Sequence, residues 1–460
     1  MSPQTYDVVV IGGGPPGENV AERAVRGGLS ACIVEERLLG GECSYYACVP
    51  SKALLRPVEA VAGARRLPGV TADLDVGPVL ANRDYWNGSL DDSGQMTWAE
   101  SMGIAVVRGS GRLAGERRVE VADQVLEARH AVVLATGTMP SIPNIPGLSD
   151  AKPWTNREAT TSEVIPPRLA VLGGGVVACE LAQAYAGLGS QVTLVERGSR
   201  VLGRYEEFVS QYVADGMRDT GVDVRTGVGT TGVSRDGSVR LDLADGSTVE
   251  ADEVLAALGR TPHTRDVGLE VVGLTPGDYV DVDDSMRVTG VDGGWLYAVG
   301  DVTKRALLTH MGKYQGRVAG DVIAARAAGR PDDGPGMRAW ADHDAIPQVV
   351  FTDPQVGAVG KTTLDAPDAG VVDFDLGSVT GAGLLARGYR GKARMLVDES
   401  TEGGPRLVGF TVVGQDIAEL VHSATVAIVG EVPLHRLWHA VPSFPTISEV
   451  WLRLLEEYGL

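Results

Sequence analysis

The sequence predicts an α/β fold with two Rossmann-like dinucleotide-binding domains and a smaller α+β domain at the C-terminal end. Three observations carry this. A strand, glycine loop, helix and strand follow one another twice, at residues 6–36 and 168–197. Both copies end on an acidic residue at the same offset. The glycine fingerprints stop near residue 346, and short apolar runs with strand character replace them. A chain of 460 residues has room for about three domains.

The first copy reads YDVVVIGGGPPGENVAERAVRGGLSACIVEE, and Gly12, Gly14 and Gly17 form G-x-G-x-x-G. The second reads RLAVLGGGVVACELAQAYAGLGSQVTLVER, and Gly173, Gly175 and Ala178 form G-x-G-x-x-A. Glu35 follows Gly12 by 23 residues, and Glu196 follows Gly173 by the same 23. Such glycines let backbone approach a pyrophosphate, whose charge sits on the amides and dipole of a helix N-terminus. The acid at the end of the second strand accepts hydrogen bonds from the adenosine ribose. A single fingerprint reports little more than a tight turn. Two in full context predict two bound dinucleotides.

Further along, HAVVLATGTMPSIPNIPG (130–147) reads as a strand, a small-residue turn and a Pro-rich linker. DEVLAALGRTPHT (252–264) repeats the strand-then-glycine pattern around Gly259. In 294–329 a strand ending in Asp301 is expected, then a loop and a long amphipathic helix. An acid there is placed to bind a ligand hydroxyl or to cap the helix. PQVVFTDPQVGAVG, ARMLVDE and RLVGFTVVG read as strands, and EVWLRLLEEYGL as a terminal helix.

A formal charge of -19 repels nucleic acid and anionic membrane, so neither is expected as a partner. No apolar run reaches the length of a membrane span. No basic leader precedes the first strand, which points to the cytoplasm. Only four cysteines occur, too few for a disulfide scaffold. Cys32 and Cys179 fall inside predicted strand–helix units and read as packing residues. Cys43 and Cys48 stand together in GGECSYYACVPSK (40–52). A metal needs about four ligands, none of which is near, so no metal is expected. A structural disulfide is disfavoured in a reducing compartment. A redox-active pair beside a dinucleotide site remains. Lys52, just after it, is a helix-start lysine or a cation that stabilises charge on a reduced flavin.

With these motifs in order along essentially the whole chain, the sequence resembles the FAD-dependent pyridine nucleotide-disulfide oxidoreductases, the family of dihydrolipoamide dehydrogenase, glutathione reductase and mercuric reductase. The resemblance implies FAD on the first fingerprint and Asp301, and NAD on the second, with NADP as the alternative. It implies a discontinuous FAD-binding domain (1–148 and 275–345), an NAD(P)-binding domain (149–274) and an interface domain (346–460) that forms a homodimer. The implied cofactor-binding set is Gly12, Gly14, Gly17, Glu35, Gly41, Lys52, Thr136, Gly137, Asp301 and His310 for the flavin, with Gly173, Gly175, Ala178, Glu196, Arg197 and Gly259 for the nicotinamide nucleotide. Electrons would pass from NAD(P)H through FAD to Cys43–Cys48. Cys48 would face the flavin as the charge-transfer thiolate, and Cys43 would attack the substrate. Glu180 matches the glutamate that pairs with Lys52. Glu196 favours NADH because a carboxylate repels a 2′-phosphate, whereas Arg197, Arg200 and Arg204 would bind one.

Two departures stand out. The family's interface domain carries a motif like His-Pro-Thr-x-x-Glu, its histidine serving as base across the dimer. Here SFPTISE keeps Pro445, Thr446 and Glu449 but has Phe444 at the histidine position. A phenyl ring accepts no proton, so Glu449 is expected to lack its partner and, if buried, to hold a proton itself. His435 and His439 precede the motif and read as surface or capping residues unless the chain bends back. The redox loop also places Tyr45 and Tyr46 between the cysteines, as pocket or packing residues. Three functions are therefore expected in turn: an NAD(P)H-dependent reductase of a small acceptor other than dihydrolipoamide, quinone-like or reduced at the dithiol; a reductase of an unusual disulfide; and a flavin-binding protein without turnover.

Overall fold

The computed structural model describes residues 3–460. The chain forms two compact units. The first comprises Met1–Val49, Asp84–Pro140 and Arg260–Asp342. Its sheet has seven strands. Ala105–Arg108, Ala31–Glu35, Gln4–Ile11, Gln124–Leu134 and Leu296–Ala298 pair in parallel, and Arg118–Val121 and Gly111–Leu113 extend the sheet antiparallel. Parallel strands are covered on both faces, which is why Val8, Val9 and Val10 form an unbroken apolar run, all fully buried. The helix Pro15–Arg26 starts with proline at its first turn, where no N–H is needed. It packs against the long helix Thr309–Ala327.

That long helix is less amphipathic than its sequence suggests. Met311, Gln315, Val318, Val322 and Ala325 are among many buried positions around it, because the sheet and Pro15–Arg26 cover much of its circumference. The strand before it also stops short. It ends at Ala298, and Asp301 lies in the 3₁₀ turn Gly300–Thr303. Gly300 at φ +78° breaks the strand, and its N–H is taken by the Gln315 side chain at 2.8 Å.

The second unit comprises Pro50–Arg83, Ser141–Gly259 and His343–Leu460. Its parallel sheet runs Asp223–Thr226, Gln191–Glu196, Arg168–Leu172 and Glu253–Ala256. The helix Val176–Gly187 follows the second fingerprint. Thr230–Asp236, Ser238–Leu243 and Thr248–Ala251 form an antiparallel meander. The same unit holds the C-terminal five-stranded antiparallel sheet, in the order Gln348–Val350, Gln355–Gly360, Arg406–Gly414, Lys392–Asp398 and Gly370–Asp375. Leu420–Val429 and Val450–Tyr458 pack on it as helices, and Trp451 stacks on Phe410 with ring centroids 4.5 Å apart.

Candidate active site

Both dinucleotide turns are built the same way. Gly12 and Gly173 adopt φ +106° and +110°, which only glycine enters without strain. A Cβ on Gly12 would meet the Ala135 carbonyl oxygen at 2.3 Å, and one on Gly173 the Ala257 oxygen at 2.4 Å. In each copy the obstructing carbonyl comes just after a neighbouring parallel strand, Gln124–Leu134 or Glu253–Ala256. Gly17 has its own reason: a Cβ there would lie 2.1 Å from the Gly12 oxygen. Ala178 is fully buried at the matching position of the second helix. Gly14 and Gly175 keep the front of each loop open, since added Cβ atoms would meet nothing closer than 3.8 Å and nothing within 4 Å, respectively.

The two acids sit against these loops, with Cβ atoms on Gly13 and Gly174 meeting Glu35 and Glu196 side-chain atoms at 3.1 Å and 2.8 Å. Glu35 accepts from the Gly13 N–H and the Arg37 N–H, both at 2.7 Å. Glu196 accepts from the Gly198 N–H. Of the three nearby arginines, Arg200 is already committed: it donates to the Tyr205 and Gly203 carbonyls and to Ser210. Arg197 and Arg204 are exposed.

The first unit also gathers the redox loop. Cys43 lies in the short helix Gly41–Tyr45, and Cys48 opens the helix Cys48–Arg65, of which Lys52 is the fifth residue. Gly41, at φ +64°, sits against Gly14. The Cys48 sulfur is 3.3 Å from the Thr309 hydroxyl, and Thr309 and His310 begin the long helix. The thiol of Cys43 is pushed up, first by its hydrogen bond with Cys48 and then by burial, while Thr309 and the charge of Lys313 pull it down. Tyr45 is buried and donates to the Leu39 carbonyl at 2.9 Å. Burial raises its phenol to about 12. Tyr46 is the half-buried one of the pair.

Asp301 is reached by Thr138, whose hydroxyl donates at 2.9 Å, and by Arg260 at 4.0 Å. Burial still raises its carboxyl, so a ligand hydroxyl donating to it would be favoured. Arg260 also donates to Glu42 of the redox loop at 3.0 Å and to Thr138 at 2.6 Å. Thr136, beside Gly137, has a buried hydroxyl without a hydrogen-bond partner among the described residues. An open glycine loop, a pushed-up acid and an unsatisfied hydroxyl fit a polyhydroxylated dinucleotide such as FAD. Arg260 and Thr309 were not singled out from sequence. The GRTP and LLTHM stretches flanking Gly259 and His310 were the available signal.

In the second unit, Lys52 donates to Glu180 at 2.6 Å, and Glu180 is buried. The other oxygen of Glu180 accepts the Phe351 N–H at 2.9 Å. The Lys52 ammonium lies 5.1 Å over the Phe351 ring. Phe351 was another residue that sequence reading passed over. Cys32 and Cys179 are fully buried, and burial raises their thiols, Cys32 to about 12.

The C-terminal motif corrects one expectation. Glu449 is buried, but it is not partnerless: Arg453, one turn later, forms an ion pair with it. Its second oxygen is buried without a partner among the described residues. Phe444 is 72% exposed, together with Val441 at 85% and Trp438 at 38%. His435 and His439 are exposed, His439 on the turn after Leu434–Leu437. Among the described residues no helix is long and apolar enough to cross a membrane. Nor do three or more His, Cys, Asp or Glu residues cluster there as a metal site.

Two family models match this chain: pyridine nucleotide-disulphide oxidoreductase over residues 6–317, and the dimerisation domain of the same oxidoreductases over residues 346–454. A dihydrolipoyl dehydrogenase of Haloferax volcanii is 32% identical, covering 98% of this chain and 95% of that protein. A glutathione reductase of Burkholderia cepacia is 30% identical over 99% of each. The fold matches the HOCl-induced flavoprotein disulfide reductase RclA of Escherichia coli, with a TM-score of 0.84 at 22% identity over 98% of this chain and 99% of that one.

Proposed function

The chain belongs to the pyridine nucleotide-disulphide oxidoreductases, which use FAD and NAD(P)H, and from that premise we propose that it reduces a small disulfide other than lipoamide through Cys43 and Cys48. The observation that carries this reading is the sulfur pair itself. Cys43 and Cys48 lie in one loop and share the Thr309 hydroxyl, at the start of the helix that follows Asp301. Bound FAD supplies the two-electron link between the nicotinamide hydride and this pair. Cys48 stands at the N-terminus of an 18-residue helix, where negative charge is favoured. Cys43 attacks the acceptor. Lys52, four residues after Cys48 on the same helix and held by Glu180, is the cation this reading assigns to charge developing on the reduced flavin. Asp301, Thr136, Gly41 and His310 complete the flavin set, and Glu449 belongs to the interface motif. Tyr46, half-buried where Tyr45 is buried, is the phenol of the loop open to an acceptor, and Phe444 stands at the base position of the interface motif. The dimerisation-domain match and the exposed Trp438, Val441 and Phe444 support a homodimer.

The assay is direct. Purified protein is given NADH or NADPH with lipoamide, a low-molecular-weight disulfide or a quinone. Disulfide turnover that exceeds lipoamide turnover is expected. Fast lipoamide reduction would sink the argument from Phe444. Quinone as the sole acceptor would move the chemistry to the flavin.

Two further results are expected. Because Arg200 is engaged by its own carbonyls, Glu196 sets nucleotide choice. NADH should beat NADPH in kcat/KM by roughly tenfold or more, the discrimination that about 1.4 kcal/mol gives. A preference for NADPH would show that Arg197 and Arg204 outweigh the carboxylate. Phe444→His should raise lipoamide turnover by about 10², the lower end of general-base catalysis, since the second Glu449 oxygen is available to hold an imidazole N–H. Unchanged turnover would refute the assignment of Phe444 to the base position.

A further inference from the structure

Dithiol–disulfide exchange moves protons as well as electrons, and a phenyl ring at position 444 holds neither a proton nor a charge. The first unit contains another group that can. A cavity of about 330 Å³ is lined by Glu18 and Glu22, by Gln95 and Trp98, and by Lys313. Glu18 and Glu22 are on the helix Pro15–Arg26, Gln95 and Trp98 on Ser93–Ser101, and Lys313 on Thr309–Ala327. Gly316 lets two of these helices close: a Cβ there would lie 2.5 Å from the Pro16 carbonyl and 3.0 Å from the Asn19 Cβ. This approach puts Glu18 and Lys313 on one wall.

Two links tie the cavity to the sulfur pair. Thr309 touches Cys48, and Lys313 is four residues on, hence on the same helix face one turn further. The hydroxyl of Tyr45, between the two cysteines, shares its proton between the Leu39 carbonyl at 2.9 Å and Gln95 at 3.3 Å. Cys43 is within electrostatic reach of Lys313, which favours its thiolate. Glu18 has an oxygen, Oε1, that is buried without a hydrogen-bond partner among the described residues. Burial raises its carboxyl to about 7; Lys313 pulls it down, and Glu35 and Glu22 push it up. Tyr45 is the other titratable group that feels its charge. A carboxyl in that range both takes up and returns a proton near neutral pH.

We propose that Glu18 and Lys313 form the proton-handling pair for Cys43, within the same subunit and in place of a histidine from the partner. The idea rests on the reading that Cys43 exchanges with a disulfide. The Cys43 proton passes to the Glu18 carboxylate through water in the cavity rather than by direct contact, and Lys313 favours the resulting thiolate by charge. The thiolate attacks an acceptor R–S–S–R′. A Cys43–S–S–R bond forms, and R′–S⁻ leaves with the electron pair of the broken bond. Glu18 returns its proton to R′–S⁻. Cys48, which loses its proton to solvent because the helix N-terminus favours its thiolate, then attacks the Cys43 sulfur, restoring Cys43–Cys48 and expelling R–S⁻, which takes a proton from solvent. The dithiol has lost two electrons and two protons, and the acceptor has become two thiols.

The test uses FAD-loaded protein, wild type, Glu18→Gln and Lys313→Gln, each reduced anaerobically by NADH. Reoxidation by hydroxyethyl disulfide, an uncharged probe, is followed across neutral pH relative to the rate of flavin reduction in the same sample. Iodoacetamide labelling of Cys43, read by mass spectrometry, reports its thiolate independently. Glu18→Gln should slow reoxidation about 10²-fold and remove the inflection near neutrality. Its Cys43 should label at least as fast as wild type, because Lys313 loses a counter-charge. Lys313→Gln should slow both reoxidation and labelling, the latter by up to about tenfold for one pKa unit. A Glu18→Gln profile superimposable on wild type, or unchanged labelling in Lys313→Gln, overturns the pair. Wild-type protein that NADH reduces but hydroxyethyl disulfide never reoxidises overturns the disulfide reading itself, and the pair with it.

Discussion

Cys48→Ser should abolish disulfide turnover while NAD(P)H still reduces the protein. The expected loss is on the order of 10⁴ or more, the scale at which one member of a catalytic unit acts. A hydroxyl 3.3 Å from Thr309 would keep the hydrogen bond and lose the chemistry, because serine neither forms the disulfide with Cys43 nor carries thiolate charge at neutral pH. A mixed disulfide between Cys43 and the acceptor should then accumulate, since the resolving sulfur is gone. Mass spectrometry of the stalled protein detects it directly. Turnover within tenfold of wild type would show that the sulfur pair is not the path. A serine variant that still reduces quinones would separate flavin chemistry from dithiol chemistry in one protein.

What was legible in the sequence was whatever repeats or sits close along the chain. The two fingerprints were found because strand, loop, helix and acid recur with the same offset, although only Glu35 accepts from its glycine loop, at Gly13, while Glu196 accepts from Gly198. The partner of Glu449 was also within reach: Glu449 and Arg453 are spaced i, i+4 on a helix, a pairing rule that needs no structure. The meander at 230–251 was missed because each strand is short and half its residues are polar and exposed. The commitment of Arg200 could not be read, since three arginines in a row of loops look alike until carbonyls are placed around one. Asp301 was identified but put in the wrong kind of element, because Gly300 breaks the strand before it. Glu18 and Lys313 were invisible for a different reason. They line one cavity only because two helices far apart in sequence pack closely at Gly316, and no local pattern encodes such an approach.

The buried Lys52–Glu180 pair carries the second large effect. Glu180 is 3% exposed, whereas the Lys52 side chain is 33% exposed. Lys52→Met should therefore strand a buried carboxylate. Breaking a fully buried pair costs about 3–5 kcal/mol. The partial exposure of Lys52 screens its share and lowers the expectation to about 2–3 kcal/mol, read as a fall in urea midpoint at unchanged slope. Glu180→Leu is the wrong rescue, because it also removes the acceptor of the Phe351 N–H, and an unmade buried hydrogen bond costs about 1–3 kcal/mol. Glu180→Gln keeps that acceptor and removes the charge. The double variant Lys52→Met/Glu180→Gln should regain most of the lost stability. Its chemistry then divides two roles that a single substitution confounds. If Lys52 only balances Glu180, the double variant recovers flavin reduction by NADH along with stability. If the ammonium itself stabilises charge at the flavin, stability returns and the reduction rate does not. The second outcome is expected, since Lys52 is held by Glu180 yet keeps a third of its side chain open, as a group serving a ligand must.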